Sequence, residues 1–290
     1  MRKVALGSVQ FGTNYGITNK FGRVSLKEVK KILNFAKKKK VNLIDTAINY
    51  GESEKYLGLA GLENFKVITK LPTIPRNINS VEKWIRKKIS KSINKMGINK
   101  LDGCLIHNST NLLGTSGKQV INVIKNIKSE GIVNKFGVSI YDPKELEKIG
   151  NLNQIDIVQA PINIFDNRLR TSGWLDCLYN QGIEVHARSI FLQGLLLSAR
   201  KKIPKKFERW KSLWDRWDLI TEKKKTLKLF ACLNYVLRQK EVSKIIIGVN
   251  SLSQLKQINS VYDNKRLFNN KFNSIKIDNL LIDPRKWKYL

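Results

Sequence analysis

Four polar residues stand at or near the ends of apolar runs. Asp45 lies late in VNLIDTA (41–47), Lys70 in KVITKL (66–71), and His107 ends LDGCLIH (101–107). Tyr50 comes five positions after Asp45 and is followed by Gly51. An unpaired carboxylate at the end of a buried run is costly, so Asp45 needs a partner. The ammonium of Lys70, from the next run, supplies one. An Asp, a Tyr, a Lys and a His together make an acid–base device. The tyrosine donates a proton, the lysine favours its anion, the aspartate holds the lysine, and the histidine orients the oxygen that is protonated. A lysine ~4 Å away, at an effective dielectric of about 20, would favour the tyrosinate by up to ~4 kcal/mol. That is at most about three pKa units. The expected catalytic set is Asp45, Tyr50, Lys70 and His107, with the pKa of Tyr50 lowered by Lys70.

Such a set converges only if its runs are neighbouring strands. Short segments rich in Val and Ile alternate with segments of helical spacing, the pattern of βα units around a parallel sheet. The expected strands cover 4–9, 41–47, 66–71, 101–107, 134–140, 155–161, 183–190 and 244–249. Ser25 with Glu28 reads as a capping box, and Ser80 precedes a helix whose Val81, Trp84, Ile85, Ile89 and Ile93 share a face. Asp142–Pro143 opens a short helix with proline at its first position. Gly97, Gly131, Gly150 and Gly182 stand where helices should stop. Eight strands with helices between them predict an α/β chain folded as one (β/α)8 TIM barrel over residues 1–290, with its chemistry at the C-terminal ends of the strands. No GxGxxG turn follows an early strand, which excludes the Rossmann mode of dinucleotide binding.

The formal charge of +31 comes from 54 Lys+Arg against 23 Asp+Glu. Lysines outnumber arginines 41 to 13 and are spread over nearly every expected helix. They read first as solvated faces, so no specific nucleic-acid partner is expected, although the field could steer an anionic ligand. No apolar run approaches the ~18 residues of a membrane span, and the N-terminus has no secretory pattern. Cys104, Cys177 and Cys232 are odd in number and lie in apolar segments, which suits reduced thiols. The expected location is the cytoplasm, and no metal site is expected.

These residues resemble the aldo-keto reductase superfamily. GSVQFGTNYG (7–16) is similar to its opening strand, IDTAINYGESEKYLG (44–58) to its signature with the catalytic Asp and Tyr, ITK (68–70) to its lysine and LIHN (105–108) to its histidine. GVSI (137–140) and VQAPINIFD (158–166) resemble its carboxamide-holding segments, RSIFLQGLLL (188–197) its loop after strand seven, and IIIGVNSLSQL (245–255) its adenosine-phosphate segment. The resemblance implies hydride transfer between an extended nicotinamide cofactor and a carbonyl, with Tyr50 as general acid. It assigns cofactor contacts to Ser139, Gln159, Arg188, Ser189, Phe191, Gly194, Gly248, Ser251 and Gln254. Three positions depart from the family's pattern. Ile140 replaces an Asn, Arg188 replaces the aromatic residue that stacks on the nicotinamide, and Gly248 and Gln254 stand where many members have a basic pair. NADP(H) is favoured over NAD(H) on the family's habit and the positive field.

The reading is thus an NAD(P)H-dependent oxidoreductase that reduces an aldehyde, ketone or sugar, the substrate being phosphorylated or nucleotide-linked in one version. The alternative is a nicotinamide-sensing regulatory protein on the same scaffold with little turnover. The oligomeric state is left open between monomer and dimer. A basic, tryptophan-rich insertion covers about 198–220. In it Phe207, Trp210, Trp214 and Trp217 are spaced to line one helix face, either packed on the barrel or serving as a lid that presents Lys201, Lys202, Lys205, Lys206 and Arg209 to an anion. An apolar C-terminal extension at about 265–290 is expected to pack against the barrel.

Overall fold

The computed structural model describes residues 3–263 and 277–290; residues 265–276 of the expected C-terminal extension lie outside the described residues. Eight parallel strands close into a barrel in sequence order. They are β1 (Val4–Gly7), β2 (Leu43–Asp45), β3 (Lys66–Leu71), β4 (Leu101–Ile106), β5 (Val133–Ser139), β6 (Ile157–Pro161), β7 (Glu184–Arg188) and β8 (Val242–Gly248). The ring closes where Val4, Ala5 and Leu6 pair with Ile245, Ile246 and Ile247. β2 is shorter than the apolar run around it: its ladder with β1 consists of Leu6 with Ile44 and Gly7 with Asp45, and the chain leaves the sheet after Asp45.

The outer layer consists of α1 (Val9–Gly12), α2 (Leu26–Lys38), α3 (Ser53–Ala60), α4 (Val81–Met96), α5 (Gly114–Ser129), α6 (Lys144–Ile149), α7 (Arg168–Thr171), α8 (Trp174–Asn180), α9 (Lys211–Ile220), α10 (Lys225–Leu237), α11 (Leu252–Asp263) and α12 (Asn279–Ile282). Val29, Ile32, Leu33 and Ala36 form the buried stripe of α2. Ile85, Ile89, Ser92 and Met96 form that of α4, with Val81, Trp84 and Ile93 partly buried at its edge. Two apolar layers result. A small one inside the barrel contains Ala5, Leu43, Ile68, Leu105, Ile157 and Ile246. A much larger one lies between the sheet and the helices. Burying such a face is what holds amphipathic helices of this length in place, since propensity alone leaves them marginal.

The start and stop signals are realised with two differences. Ser25 accepts the Glu28 amide at the head of α2, but the Glu28 carboxylate turns to the Leu252 amide at the head of α11, 2.7 Å away, instead of back to Ser25. Pro143 caps α6 rather than occupying its first turn, and Asp142 accepts the Lys144 amide beside it. Gly97 ends α4 in the left-handed conformation.

Phe207 lies on a separate 3-10 turn (Lys205–Trp210), because Pro204 at its head starts a tight turn closed by the Phe207 amide. Trp214 and Trp217 lie on α9. All three rings are buried, and Trp214 and Trp217 pack on Phe165, whose centroid is 5.5 Å from Trp214 and 5.7 Å from Trp217. Their indole N–H groups donate to the Phe207 and Leu196 carbonyls. Trp287, from the C-terminal stretch, meets Phe207 edge-on at 5.0 Å.

Candidate active site

Asp45, Lys70 and His107 are carried by β2, by β3 and by the residue after β4, and converge at the C-terminal mouth of the barrel. Lys70 is 1 % exposed and donates to both Asp45 oxygens at 2.7 Å and to the Thr46 carbonyl at 2.8 Å. Asp45 also accepts the Gln159 side-chain amide from β6 at 2.7 Å. The buried carboxylate is therefore saturated by one cation and one neutral donor. Burial pushes the Lys70 pKa down, and Asp45 opposes that shift.

Tyr50 is held by its flanking backbone. A Cβ on Gly12 would fall 1.6 Å from the Tyr50 carbonyl oxygen and 2.4 Å from the Ser53 amide. Gly51, with φ +54, brings its own Cα to the Gly12 carbonyl, where a Cβ would sit 2.5 Å away. Ser53 then bonds to Ser8 at the end of β1, through its hydroxyl at 2.8 Å and its carbonyl at 3.0 Å. At the next residue, the buried Glu54 accepts Thr69 from β3 at 2.8 Å and Ser92 from α4 at 2.6 Å. The tyrosine loop is thus fixed to β1, β3 and α4 at once.

The Tyr50 ring lies 5.2 Å from the Lys70 ammonium and meets His107 edge-on at 5.9 Å between centroids. The expected lowering of its pKa does not occur. Burial raises the phenol well above its ordinary value and the Asp45 charge adds to this, because the Lys70 charge is taken up by Asp45 at contact distance. Tyr50 is a protonated phenol at any working pH. His107 is pushed down to about 4, first by burial and then by the Lys70 and Arg188 charges, so its imidazole is neutral at pH 7.

These groups open into a cavity of about 880 Å³, within the range of small-molecule and cofactor sites. Asp45, Tyr50 and His107 line it, whereas Lys70 stands behind Asp45. So do Ser139, Gln159, Arg188, Ser189, Phe191, Gly194, Gly248 and Gln254. Ser251 is not in the wall; its hydroxyl accepts the Gln254 amide at 3.3 Å and caps α11. Of the basic residues of the insertion, Lys202 reaches the cavity; Lys206 is turned away to the Trp287 carbonyl at 2.8 Å. A roof forms where Thr18 donates to the Gln193 carbonyl at 3.1 Å, joining the loop after β1 to the loop after β7. Ser189, Leu192 and Gln193 all have positive φ, and strain of this kind collects at ligand sites.

Arg188 donates to the Ile140 carbonyl at 2.8 Å and to Ser189 at 3.2 Å, and stacks on Tyr141 at 4.2 Å. Arg285 covers the same ring at 4.0 Å. Sequence reasoning missed Gln10 on α1 and Tyr15, Tyr141 and Asn250 on loops, which also line the cavity. Their types carry no pattern; only the closed barrel brings them together.

The residues fit a nicotinamide. Gln159 spends its nitrogen on Asp45, and its oxygen is buried in the cavity wall without a partner. A buried acceptor of this kind calls for an N–H donor, and a carboxamide has one. Asn250 Oδ1 and Gln10 Oε1 are likewise buried without partners further along the wall.

The model of the aldo/keto reductase family matches residues 3–278. An NADH-specific methylglyoxal reductase of Escherichia coli (strain K12) is 24% identical over 259 residues, covering 75% of this chain and 77% of that protein. Among solved structures, a glycerol dehydrogenase from Gluconobacter oxydans superposes with a TM-score of 0.69 at 21% identity, covering 90% of this chain and 86% of that one. An aldo-keto reductase from Bacillus halodurans, in its holo form, gives 0.68 at 19% identity, covering 91% and 88%. At such identities the structural likeness speaks for the fold.

Proposed function

The chain belongs to the aldo/keto reductase family, and from that premise we propose that it reduces a carbonyl compound with a nicotinamide dinucleotide, using Tyr50 as the general acid. The observation that carries this reading is the shared side chain of Gln159. Its nitrogen is bound to the Asp45–Lys70 pair and its orphaned oxygen faces the cavity that Tyr50 and His107 line. Acid–base groups and a carboxamide acceptor are thereby fixed to one another by a single side chain.

When bound, the reduced nicotinamide supplies hydride to the carbonyl carbon. Gln159 Oε1 and the Ser139 hydroxyl would hold its carboxamide, which sets the face of the ring that meets the substrate. Tyr50 gives its phenolic proton to the carbonyl oxygen as that oxygen gains charge. An alkoxide is a stronger base than a phenolate, so the transfer runs downhill even from a phenol with a raised pKa. The phenolate left behind is favoured by the field of Arg188, while the Lys70 ammonium, 5.2 Å from the ring centroid, stays bound to Asp45. His107, neutral, donates a ring N–H to the same oxygen and orients it. Asp45 touches no substrate in this scheme; it holds Lys70 and Gln159.

The substrate proposed carries an anionic group. Lys20, Arg188, Lys202, Lys223 and Lys225 line the cavity, and the carboxylate that lines it, Asp45, is already bound to Lys70. Lys228 is also in the wall but is paired with Asp218 at 2.5 Å.

The test is turnover of an aldehyde, ketone and phosphorylated-sugar panel by the wild-type chain and by Tyr50→Phe, alongside nucleotide binding. Loss of one proton donor should cost ~10²–10⁴ in kcat and leave nucleotide affinity unchanged. Tight nucleotide binding with no Tyr50-dependent turnover on any substrate would favour the sensing alternative. Turnover that survives Tyr50→Phe would sink the assignment of the acid.

A further inference from the structure

The cavity has two ends. Tyr50 and His107 mark the reacting end; the other is built from β8 and the head of α11, with Gly248, Asn250, Gln254 and Gln257 in the wall. If the reacting ring of a dinucleotide lies at the first end, the adenosine ribose falls at the second. Whether that ribose carries a 2′-phosphate depends on what the second end offers.

A helix head ordinarily offers unpaired amides and a partial positive charge, which suit a phosphate. Here the chain uses three of those amides itself. The Leu252 amide is bound by the Glu28 carboxylate at 2.7 Å, the Gln254 amide by Ser251 at 3.3 Å, and the Asn250 amide by the Gln254 side chain at 2.8 Å. Glu28 brings a full negative charge from a helix more than two hundred residues away in sequence. Its ion-pair partner, Lys31, is 3.7 Å away and more than half exposed, so the charge is only weakly offset.

Two of the polar atoms left over have the wrong sense for a phosphate. Asn250 Oδ1 and Gln10 Oε1 are buried acceptors without partners. Ribose hydroxyls can donate to them; a phosphate dianion has only acceptors to offer. Among the described residues, the wall contributed by β8 and α11 contains no Lys or Arg. Gly248 keeps the Gln10 amide close, since a Cβ would fall 2.5 Å from its nitrogen.

We propose that the chain takes NAD(H) in preference to NADP(H), and that Glu28, bound to the head of α11, is the residue that rejects the 2′-phosphate. The proposal rests on the dinucleotide reading above. It reverses the expectation of NADP(H), which drew on the family's habit and the overall charge of +31; that charge is spread over the surface, whereas Glu28 is bound to an amide at the head of α11.

The test is direct binding, by calorimetry, of NADH and NADPH to the wild-type chain, Glu28→Gln and Glu28→Ala. A second measurement needs no variant: competition by 5′-AMP and by 2′,5′-ADP, which probe the adenosine end alone. Like charges brought together at an interface discriminate strongly, so the wild-type Kd for NADPH should exceed that for NADH by about tenfold or more. The two fragments should rank in the same order. Glu28→Gln should narrow the ratio to within about threefold, chiefly by tightening NADPH. Equal or tighter NADPH binding by the wild type overturns the proposal, as does an unchanged ratio in both variants. If neither dinucleotide binds the wild type, the dinucleotide reading itself fails, and this proposal with it.

Discussion

Replacing Asp45 by Asn should separate what the Asp45–Lys70 pair does for folding from what it does for chemistry. The ammonium lies 2.7 Å from both carboxylate oxygens, and at an effective dielectric of 20 the gross attraction at that distance is about 6 kcal/mol. The desolvation of two buried ions offsets part of this, so breaking such a pair by removing one member costs ~3–5 kcal/mol. Asp45→Asn should lose that much in urea unfolding followed by tryptophan fluorescence. The loss should shrink as pH rises. Burial already lowers the folded-state pKa of Lys70, and without Asp45 it falls further, while the unfolded lysine keeps its ordinary value. Between those two pKa values the unfolded chain binds the extra proton, so stability increases with pH. The double variant Asp45→Asn/Lys70→Met removes both charges and should recover most of the lost stability, yet remain inactive. A single variant that costs less than about 1 kcal/mol, or a double variant as unstable as the sum of the two singles, would refute the claim that the pair is coupled across a buried contact.

The remaining predictions concern separate parts of the molecule. The chain has two histidines, so imidazole signals in a pH titration are readily assigned, and His107 should titrate near pH 4. Because that value lies below the ordinary 6.5, His107 makes the chain lose stability as pH falls from 6.5 toward 4, and His107→Gln should flatten that slope in acid unfolding curves. Gly12→Ala puts a methyl 1.6 Å from the Tyr50 carbonyl oxygen; it should cost at least the ~1–3 kcal/mol of overpacking and reduce kcat by displacing the tyrosine, which a melt and a turnover assay check together. Trp217→Ala, at a fully buried ring, should cost ~3–5 kcal/mol by denaturant unfolding. Lys202→Glu should raise KM for a phosphorylated carbonyl, while Lys205→Glu and Arg209→Glu, outside the cavity wall, should leave it unchanged.

Much of the barrel was legible in the sequence because its signals are local. β3 begins and ends where the apolar run does, and Ser80 and Gly97 bound α4 through caps that depend only on neighbouring residues. β2 is shorter than its run because strand length is set by pairing with β1, a non-local fact. The insertion shows the same limit: the three- and four-residue spacing of Phe207, Trp210, Trp214 and Trp217 suggests one helix, but the backbone leaves helical geometry at Trp210 (φ -103, ψ 33), and Phe207 falls on a separate 3-10 turn. At the site, residue types revealed which groups lie at strand ends. They revealed the Asp45–Lys70 pair but not that burial and the Asp45 charge would raise the Tyr50 pKa despite Lys70, which depends on the distances after closure. Nor did they reveal Glu28 at the head of α11, because its sequence role as a capping-box residue was complete without that contact.

The ring of Tyr141, held between Arg188 and Arg285, has a consequence for how the protein comes into being. Strands β1 to β7, the last ending at Arg188, are translated well before Arg285, and so is the loop that carries Tyr141. Until Arg285 and Trp287 leave the ribosome, one guanidinium of the sandwich is missing and Phe207 lacks its edge-on partner.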